Sequence, residues 1–132
     1  MMRVIPDDVW GAMTVYCEAR GETYAGQVAV ARVIRNRVRQ GFARDVAGVV
    51  LAPYQFSCWN TQDPNRLVAA RLDSDDPRLQ QCQRAWAESA TNDAGVGDAT
   101  MYYAPSGVAH VPSWAKPEKF VIQIGAHHFF LG

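Results

Sequence analysis

The sequence is poor in cysteine and has no long apolar run. Its three cysteines, Cys17, Cys58 and Cys82, cannot all pair within one chain, and their spacing fits neither a zinc site nor a CxxC motif. We therefore expect reduced thiols that serve as small core residues. No stretch approaches the ~20 apolar residues of a membrane-spanning helix, so we expect no membrane insertion.

The chain also lacks an excess of either charge, with 13 basic and 13 acidic residues. This balance argues against a broad phosphate-binding surface and thus against a nucleic-acid partner. Six arginines nevertheless cluster early in the chain: Arg20, Arg32, Arg35, Arg37, Arg39 and Arg44. They indicate either a solvated helix end whose cations suit the helix dipole or a local patch that binds an anionic polymer.

Length and composition predict one globular domain over residues 1–132. A hydrophobic fraction of 48% supplies a core without disulfide or metal staples. The first residues contain no apolar run of signal-peptide length, so we expect synthesis in the cytoplasm. No cluster of ligand-type side chains calls for a metal or another cofactor, and we expect a monomer.

Hydrophobic periodicity predicts helices in the first two thirds of the chain. The first helix is expected to start near Pro6 and to stop near Gly21, and the others are expected at residues 24–40, 45–51 and 77–94. Residues 28–31 are apolar all round, which places the second helix in the middle of the domain.

The last third predicts a small antiparallel sheet. A β-like run at residues 100–103 precedes a hairpin, in which residues 120–124 and 127–130 flank a two-residue turn led by Gly125. Helices first and a small sheet later indicate a mostly helical α+β fold.

Glu18 is the candidate catalytic residue. It lies between Cys17 and Ala19, one turn before the predicted end of the first helix. Most helical glutamates are solvated surface residues, but apolar flanks at a helix end would place this carboxyl group in a partly dry cleft. A carboxyl group there keeps its proton more readily and can give it to the leaving oxygen of a glycosidic bond.

Glu22 follows four residues later and is open to two interpretations. If the helix continued, Glu22 would share a face with Glu18, which would give a carboxylate pair. Gly21 argues against that geometry. The alternative is a capping or ion-pairing group for the second helix.

Aromatic and amide side chains provide candidate sugar contacts. In the loop after the third helix, the Phe56 ring could stack on a sugar, and Gln55 and Ser57 could bind its hydroxyl groups. An ordinary loop in which Phe56 anchors the chain in the core would have a similar composition. Tyr102, Tyr103 and Trp114 could line the same groove or serve as core and edge aromatics.

His127 and His128 adjoin on a predicted strand, so their side chains point to opposite faces and cannot easily bind one metal together. One of them is expected to point inward, as a core or site histidine. Such a histidine and Cys58 would form a cysteine-hydrolase dyad, although the spacing does not select Cys58 over the other thiols.

Read in order, these blocks resemble the spore cortex-lytic cell wall hydrolase family, which includes phage and prophage members. The resemblance covers residues 9–130 and depends on order and spacing, since each block alone is weak. The blocks are Tyr16-Cys17-Glu18-Ala19-Arg20-Gly21-Glu22, residues 26–31, Asn36-Arg37-Val38, Gln55-Phe56-Ser57-Cys58, residues 99–103, Pro112-Ser113-Trp114-Ala115, Ile124-Gly125 and residues 127–130.

The resemblance implies a lysozyme-like α+β fold and cleavage of the peptidoglycan glycan strand between N-acetylmuramic acid and N-acetylglucosamine. Glu18 matches the family's catalytic glutamate. Relatives are similar to lytic transglycosylases, in which one glutamate acts as acid and then as base and leaves a 1,6-anhydro end. The candidate substrate contacts are Glu22, Gln55, Phe56, Ser57, Tyr102, Tyr103, Trp114 and His127.

Two departures from the family pattern matter. Many relatives have Gly at the position of Cys17, so this side chain either narrows the site or fills core space. The chain also lacks the secretion signal and the wall-binding domain of many relatives. These two absences favour a phage endolysin, which would reach the wall after a membrane lesion, for example one made by a holin.

Three alternatives stay open at this point. A hydrolytic muramidase would need a second carboxylate, with Glu22 or Asp63 as candidates. An inactive wall-binding or structural module would keep the fold without the chemistry. A cysteine peptidase that cuts the stem peptide would use Cys58.

Overall fold

The computed structural model describes residues 6–52, 56, 59 and 75–132. Helix α1, Asp7–Ala19, starts after Pro6 and carries two aspartates in its first turn, where negative charge suits the helix dipole. Its buried residues include Ala12, Val15, Tyr16 and Ala19, whose spacing forms one continuous face. This face packs against the rest of the core.

Helix α2, Tyr24–Arg39, runs through the middle of the domain, as expected from its apolar first half. Residues 26–31 are all buried. Thr23 caps the helix, because its hydroxyl group accepts a hydrogen bond of 3.2 Å from the backbone N–H of Gly26. The capping interpretation of Glu22 is therefore wrong, because the neighbouring Thr23 is the N-cap residue of this helix.

Two shorter helices complete the helical part that the structure describes. Helix α3, Val46–Val50, is capped by Asp45, and helix α4, Pro77–Glu88, is capped by Asp76. Helix α4 ends six residues before the predicted end. The side chains of Asn92 and Asp93 accept hydrogen bonds from backbone N–H groups two residues ahead, and such local bonds compete with helical ones.

The C-terminal third forms the expected antiparallel sheet. Its strands are β1, Met101–Tyr103, β2, Phe120–Ile124, and β3, His127–Phe130, in the order β1-β3-β2. Gly125 leads the turn between β2 and β3 with a φ of 56°, in the left-handed region that favours glycine. The predicted hairpin and its Gly-led turn are confirmed.

Three of the early arginines, Arg32, Arg35 and Arg37, connect α2 to other elements, which the interpretation as a solvated helix end did not include, while binding to an anionic polymer stays a prediction. Arg35 donates hydrogen bonds of 2.8 Å to the carbonyl of Trp86 and 2.7 Å to the hydroxyl of Ser89. Arg32 donates to the carbonyl of Ser89 at 2.9 Å. These cations therefore serve the C-terminal end of α4 rather than their own helix end. Arg37 is buried, and Arg39 pairs with Asp98 at 2.7 Å.

Candidate active site

Glu18 lies in the last turn of α1 and is partly buried. The end of this helix is held by Arg20, whose guanidinium donates hydrogen bonds of 3.3 and 3.5 Å to the carbonyls of Cys17 and Tyr16. The backbone N–H of Glu22 then donates to the carbonyl of Ala19 at 2.9 Å. The predicted partly dry position of Glu18 is thus matched by its burial.

Arg37 provides a buried positive charge near Glu18. It extends from α2 and is 5% exposed. Its Nε donates a hydrogen bond of 2.7 Å to the carbonyl of Thr100, at the start of β1. Burial lowers the pKa of Arg37, and the nearby Tyr102 and Glu18 oppose this shift. The positive charge of Arg37 and the negative charge of Glu18 therefore attract each other.

Glu22 is bound to the β2–β3 turn. Its Oε1 accepts a hydrogen bond of 3.1 Å from the backbone N–H of Ala126 and lies 3.6 Å from His127 Nδ1. Its side chain is 19% exposed and that of His127 is 11% exposed. The interpretation of Glu22 as an ion-pairing group for the second helix is therefore wrong, because its carboxylate contacts the hairpin, and its contact with His127 is an ion pair only when that histidine is protonated.

His127 is the inward-pointing histidine that the strand alternation predicts. Its ring lies 5.0 Å from the Tyr102 ring, centroid to centroid, and 6.2 Å from that of Phe129. Burial lowers the pKa of His127, whereas the Glu22 carboxylate raises it. The structure therefore brings three predicted site residues together on one face of the sheet: Glu22, Tyr102 and His127.

Tyr103 and Trp114 do not join this group. The Tyr103 ring contacts Trp114 at 5.8 Å, His128 at 6.0 Å and Phe130 at 5.8 Å. Because neighbouring strand residues point to opposite faces, these rings lie on the other face of the sheet from Tyr102 and His127. A sugar contact by Tyr103 or Trp114 stays a prediction, but not in one groove with Tyr102.

The predicted sugar-binding loop is described at two positions. Gln55 and Ser57 lie outside the described residues, as does Cys58. Phe56 is 1% exposed and packs in the main core, 5.0 Å from the Arg37 guanidinium. The expectation that Phe56 stacks on a sugar is therefore wrong for this structure, since its ring is covered by protein.

Cys17 fills space on the side of α1. It is 8% exposed and packs with Met13 and Trp59. The indole N–H of Trp59 donates a hydrogen bond of 2.8 Å to Thr14. Cys82 is also buried, and burial raises its pKa to about 11. Both cysteines are buried and neither is in a disulfide, as expected of small core residues.

Sequence reasoning missed Arg37 and Trp59. Arg37 carried a signal, because it stands on a helix among buried residues such as Val33, Ile34 and Asn36, where an unpaired cation is costly. Trp59 had a weaker signal, a tryptophan three residues after the buried Phe56.

Within residues 6–52, 56, 59 and 75–132, no three His, Cys, Asp or Glu side chains come together to hold a metal ion. None of the described helices is long and apolar enough to cross a membrane.

Known proteins are similar to this chain along most of its length. The family model described as cell wall hydrolase matches residues 21–130. That range contains Glu22, Arg37, Tyr102 and His127 and begins shortly after Glu18.

The spore cortex-lytic enzyme of Halalkalibacterium halodurans is 34% identical over an alignment of 127 residues that covers 89% of this chain and 32% of that protein. The spore cortex-lytic enzyme of Bacillus subtilis is 34% identical over 124 residues, 89% of this chain and 35% of that protein. The chain thus spans about a third of the length of these curated relatives.

Two solved structures share the fold. The catalytic domain of the germination-specific lytic transglycosylase SleB from Bacillus anthracis has a TM-score of 0.73 and 29% identity and covers 96% of both chains. The catalytic domain of the Bacillus cereus SleB protein has a TM-score of 0.73 and 28% identity, covering 98% of this chain and 94% of that one. The lysozyme-like α+β fold and the family resemblance are therefore confirmed: the chain belongs to the cell wall hydrolase family.

Proposed function

We propose that this chain cleaves the glycan strand of peptidoglycan between N-acetylmuramic acid and N-acetylglucosamine, as a lytic transglycosylase. Glu18 acts as the acid and then as the base. Support comes from the family, which is one of cell wall hydrolases, and from the two SleB catalytic domains, one of which is named a lytic transglycosylase.

The observation that carries this proposal is the different placement of the two neighbouring glutamates. Glu18 is partly buried at the end of α1, with the positive charge of Arg37 nearby. Glu22 has its Oε1 against the backbone of the hairpin turn. A mechanism with one catalytic carboxylate fits this arrangement better than one in which Glu22 is the second carboxylate, and Asp63, the other candidate, lies outside the described residues.

The reaction balances with a single glutamate. The Glu18 carboxyl group gives its proton to the glycosidic oxygen as the bond from C1 to that oxygen breaks. The resulting carboxylate takes the proton of the muramic 6-hydroxyl group, whose oxygen bonds to C1. No water is consumed, and the nucleophile is already held by the sugar ring. Arg37 stabilises the negative charge that develops on Glu18 as its proton leaves.

The Glu18→Gln variant tests this proposal. We expect loss of glycan cleavage by about 10²–10⁴-fold, because the amide cannot supply the proton, with an unchanged melting temperature. Glu118→Gln is a matched control, since Glu118 is an exposed glutamate in the connection before β2. Activity is followed as turbidity loss of purified walls, and the products are identified by mass spectrometry.

The products also separate the alternatives. Anhydro ends, lighter by one water than hydrolysed ends, support transglycosylation, whereas reducing ends indicate a muramidase. Wall binding without cleavage by either wild type or Glu18→Gln indicates a binding module. Released stem peptides indicate a peptidase. An active Glu18→Gln variant contradicts the proposed mechanism.

The phage-lysin setting stays a prediction. Expression of the chain in a bacterial cytoplasm, with and without a membrane-permeabilising agent, tests it. Lysis only after permeabilisation supports the setting, and lysis without the agent contradicts it.

A further inference from the structure

We propose that Glu22 is a positioning residue that fixes the end of α1 against the β2–β3 turn, so that Glu18 faces the substrate in one orientation. This inference rests on the proposed function and deepens it. It removes Glu22 and His127 from the predicted substrate contacts and gives them a supporting role in the same reaction.

The turn receives the Glu22 carboxylate through two groups. Oε1 accepts the hydrogen bond from the Ala126 N–H at 3.1 Å, and His127 Nδ1 lies 3.6 Å away. That nitrogen is buried and has no hydrogen-bond partner among the described residues. Because Nδ1 is buried, it cannot bind a substrate from this side, and the carboxylate is the polar group nearest to it in this cluster.

Gly125 provides the room for the carboxylate. A Cβ atom at this position would come within 2.6 Å of Glu22 Oε1, which is closer than non-bonded atoms approach. The turn also needs glycine for its φ of 56°. The absence of a side chain at Gly125 thus serves both the turn and the approach of Glu22.

The backbone between Glu18 and Glu22 is held from the opposite side. Gln27, a buried residue of α2, donates hydrogen bonds from Nε2 to the carbonyls of Ala19 at 3.2 Å and of Glu22 at 3.5 Å. Gln27 in turn accepts a hydrogen bond of 2.9 Å from Gln81 of α4. The segment after Glu18 is therefore fixed by two helices at its backbone and by the hairpin at its side chain.

These contacts argue for a positioning role because they hold the Glu22 carboxylate in place, while Glu18 carries out the proton transfers. A shift of about 1 Å at a catalytic group can cost ~10²-fold in rate even when the changed residue does not touch the substrate. Release of the Glu22 carboxylate would free the end of α1 from the sheet that carries Tyr102. The rate, rather than substrate binding, should then suffer.

Three variants test the inference with soluble glycan strands freed of stem peptides. Glu22→Ala removes the acceptor, and we expect kcat to fall about 10–100-fold while KM changes less than about threefold. Glu22→Gln keeps an oxygen that accepts from Ala126, and we expect it to retain kcat within about fivefold. Gly125→Ala displaces the carboxylate and also strains the turn at its φ of 56°, so its loss of kcat should be at least as large as that of Glu22→Ala.

The control is another glutamate whose side chain joins two elements, but which contacts neither the hairpin turn nor the end of α1 in a hydrogen bond of the described residues. Glu88 of α4 accepts a hydrogen bond of 3.0 Å from the hydroxyl of Tyr24 on α2. Glu88→Ala should lower the melting temperature and leave kcat unchanged. In the double variant that combines Glu22→Ala and Gly125→Ala, the fold-loss in kcat should be smaller than the product of the fold-losses of the two single variants. The reason is that both changes remove the same contact.

Amide exchange of Ala126 provides a readout that does not depend on activity. We expect faster exchange in Glu22→Ala and Gly125→Ala than in wild type and Glu22→Gln. If wild type does not cleave glycan, the proposed function fails, while the exchange result still decides whether Glu22 holds the turn. Unchanged exchange or full kcat in Glu22→Ala overturns the inference, and so does a Glu22→Gln loss as large as that of Glu18→Gln.

Discussion

Near the start of α1, Gly11 lies against the indole ring of Trp86, whereas Gly21, just after the helix ends, has open space around it. A Cβ atom at Gly11 would come within 2.5 Å of three atoms of the Trp86 ring. A Cβ atom at Gly21 would meet no heavy atom of the described residues within 4 Å. Gly11 is therefore tightly packed against α4, whereas Gly21 has room for a side chain among the described residues.

The polar contacts differ in the same way. At the start, Asp8 accepts a hydrogen bond of 2.8 Å from the indole N–H of Trp86, which joins α1 to α4. At the end, the contacts of Glu22 join the chain to the hairpin turn. We infer that changes near the start of α1 alter the stability of the protein, whereas changes near its end alter the rate of catalysis.

Gly11→Ala should have the largest effect on stability. The Trp86 ring is 3% exposed, and Arg35 stacks on it with the guanidinium carbon 4.0 Å from the ring centroid. The ring has little room to move, so the cost of overpacking should lie near the upper end of about 1–3 kcal/mol, and the ~1 kcal/mol that alanine gains in helix propensity offsets only part of it. Urea unfolding measures this loss.

Gly21→Ala is the matched control for that change. It adds the same methyl group beside open space, and the φ of Gly21 lies outside the left-handed region, so we expect a stability change within about 0.5 kcal/mol. Equal losses for the two variants would contradict the comparison of the helix ends. A reduced kcat in a Gly11→Ala protein that remains folded would contradict the separation of stability from rate.

Asp8→Ala should have a smaller effect, about 1 kcal/mol, because it leaves the indole N–H of Trp86 without its acceptor. Asp7→Ala is the control, since both aspartates lie in the first turn of α1 and both lose the same favourable interaction with the helix dipole. The difference between the two variants in thermal unfolding isolates the hydrogen bond. No difference would mean that this bond does not stabilise the start of the helix.

The sequence predicted the helices and the hairpin because their signals are local. The spacing of Ala12, Val15, Tyr16 and Ala19 identifies one buried helix face, and Gly125 marks the turn. The end of α4 was harder to predict, because the pattern predicted a helix up to residue 94. The side chains of Asn92 and Asp93 accept hydrogen bonds from backbone N–H groups two residues ahead, and such local bonds compete with helical ones.

The site was predicted in part. Glu18 came from the motif, but the partner of Glu22 is 104 residues away along the chain, and no local pattern indicates such a contact. The placement of the aromatic rings on two opposite faces of the sheet could have been predicted from the sequence. The alternation that separates His127 from His128 also separates Tyr102 from Tyr103, and it applies equally to both pairs.

His127 provides the smallest predicted effect, a pH dependence of stability at the functional end of the molecule. Burial lowers the pKa of His127 below its ordinary 6.5, and the Glu22 carboxylate opposes this shift. The Tyr102 ring also faces His127 from β1. In the unfolded chain the histidine titrates near its ordinary value, so below that pH the unfolded state binds more protons than the folded state.

The stability that comes from His127 is therefore fully present above pH 6.5 and is lost as the pH falls from there through the lowered pKa of the folded state. His127→Asn removes the titrating ring, so its free energy of unfolding should decline less between about pH 7 and pH 5. His110→Asn is the control, since His110 is exposed in the connection between β1 and β2, and the free energy of unfolding of this variant should decline as much as that of wild type.

Parallel curves for wild type and His127→Asn would show that His127 keeps its ordinary proton affinity on folding. The Glu22 carboxylate would then offset the cost of burial fully, and the contact between Glu22 and His127 would be a strong ion pair rather than the partial compensation expected from a separation of 3.6 Å.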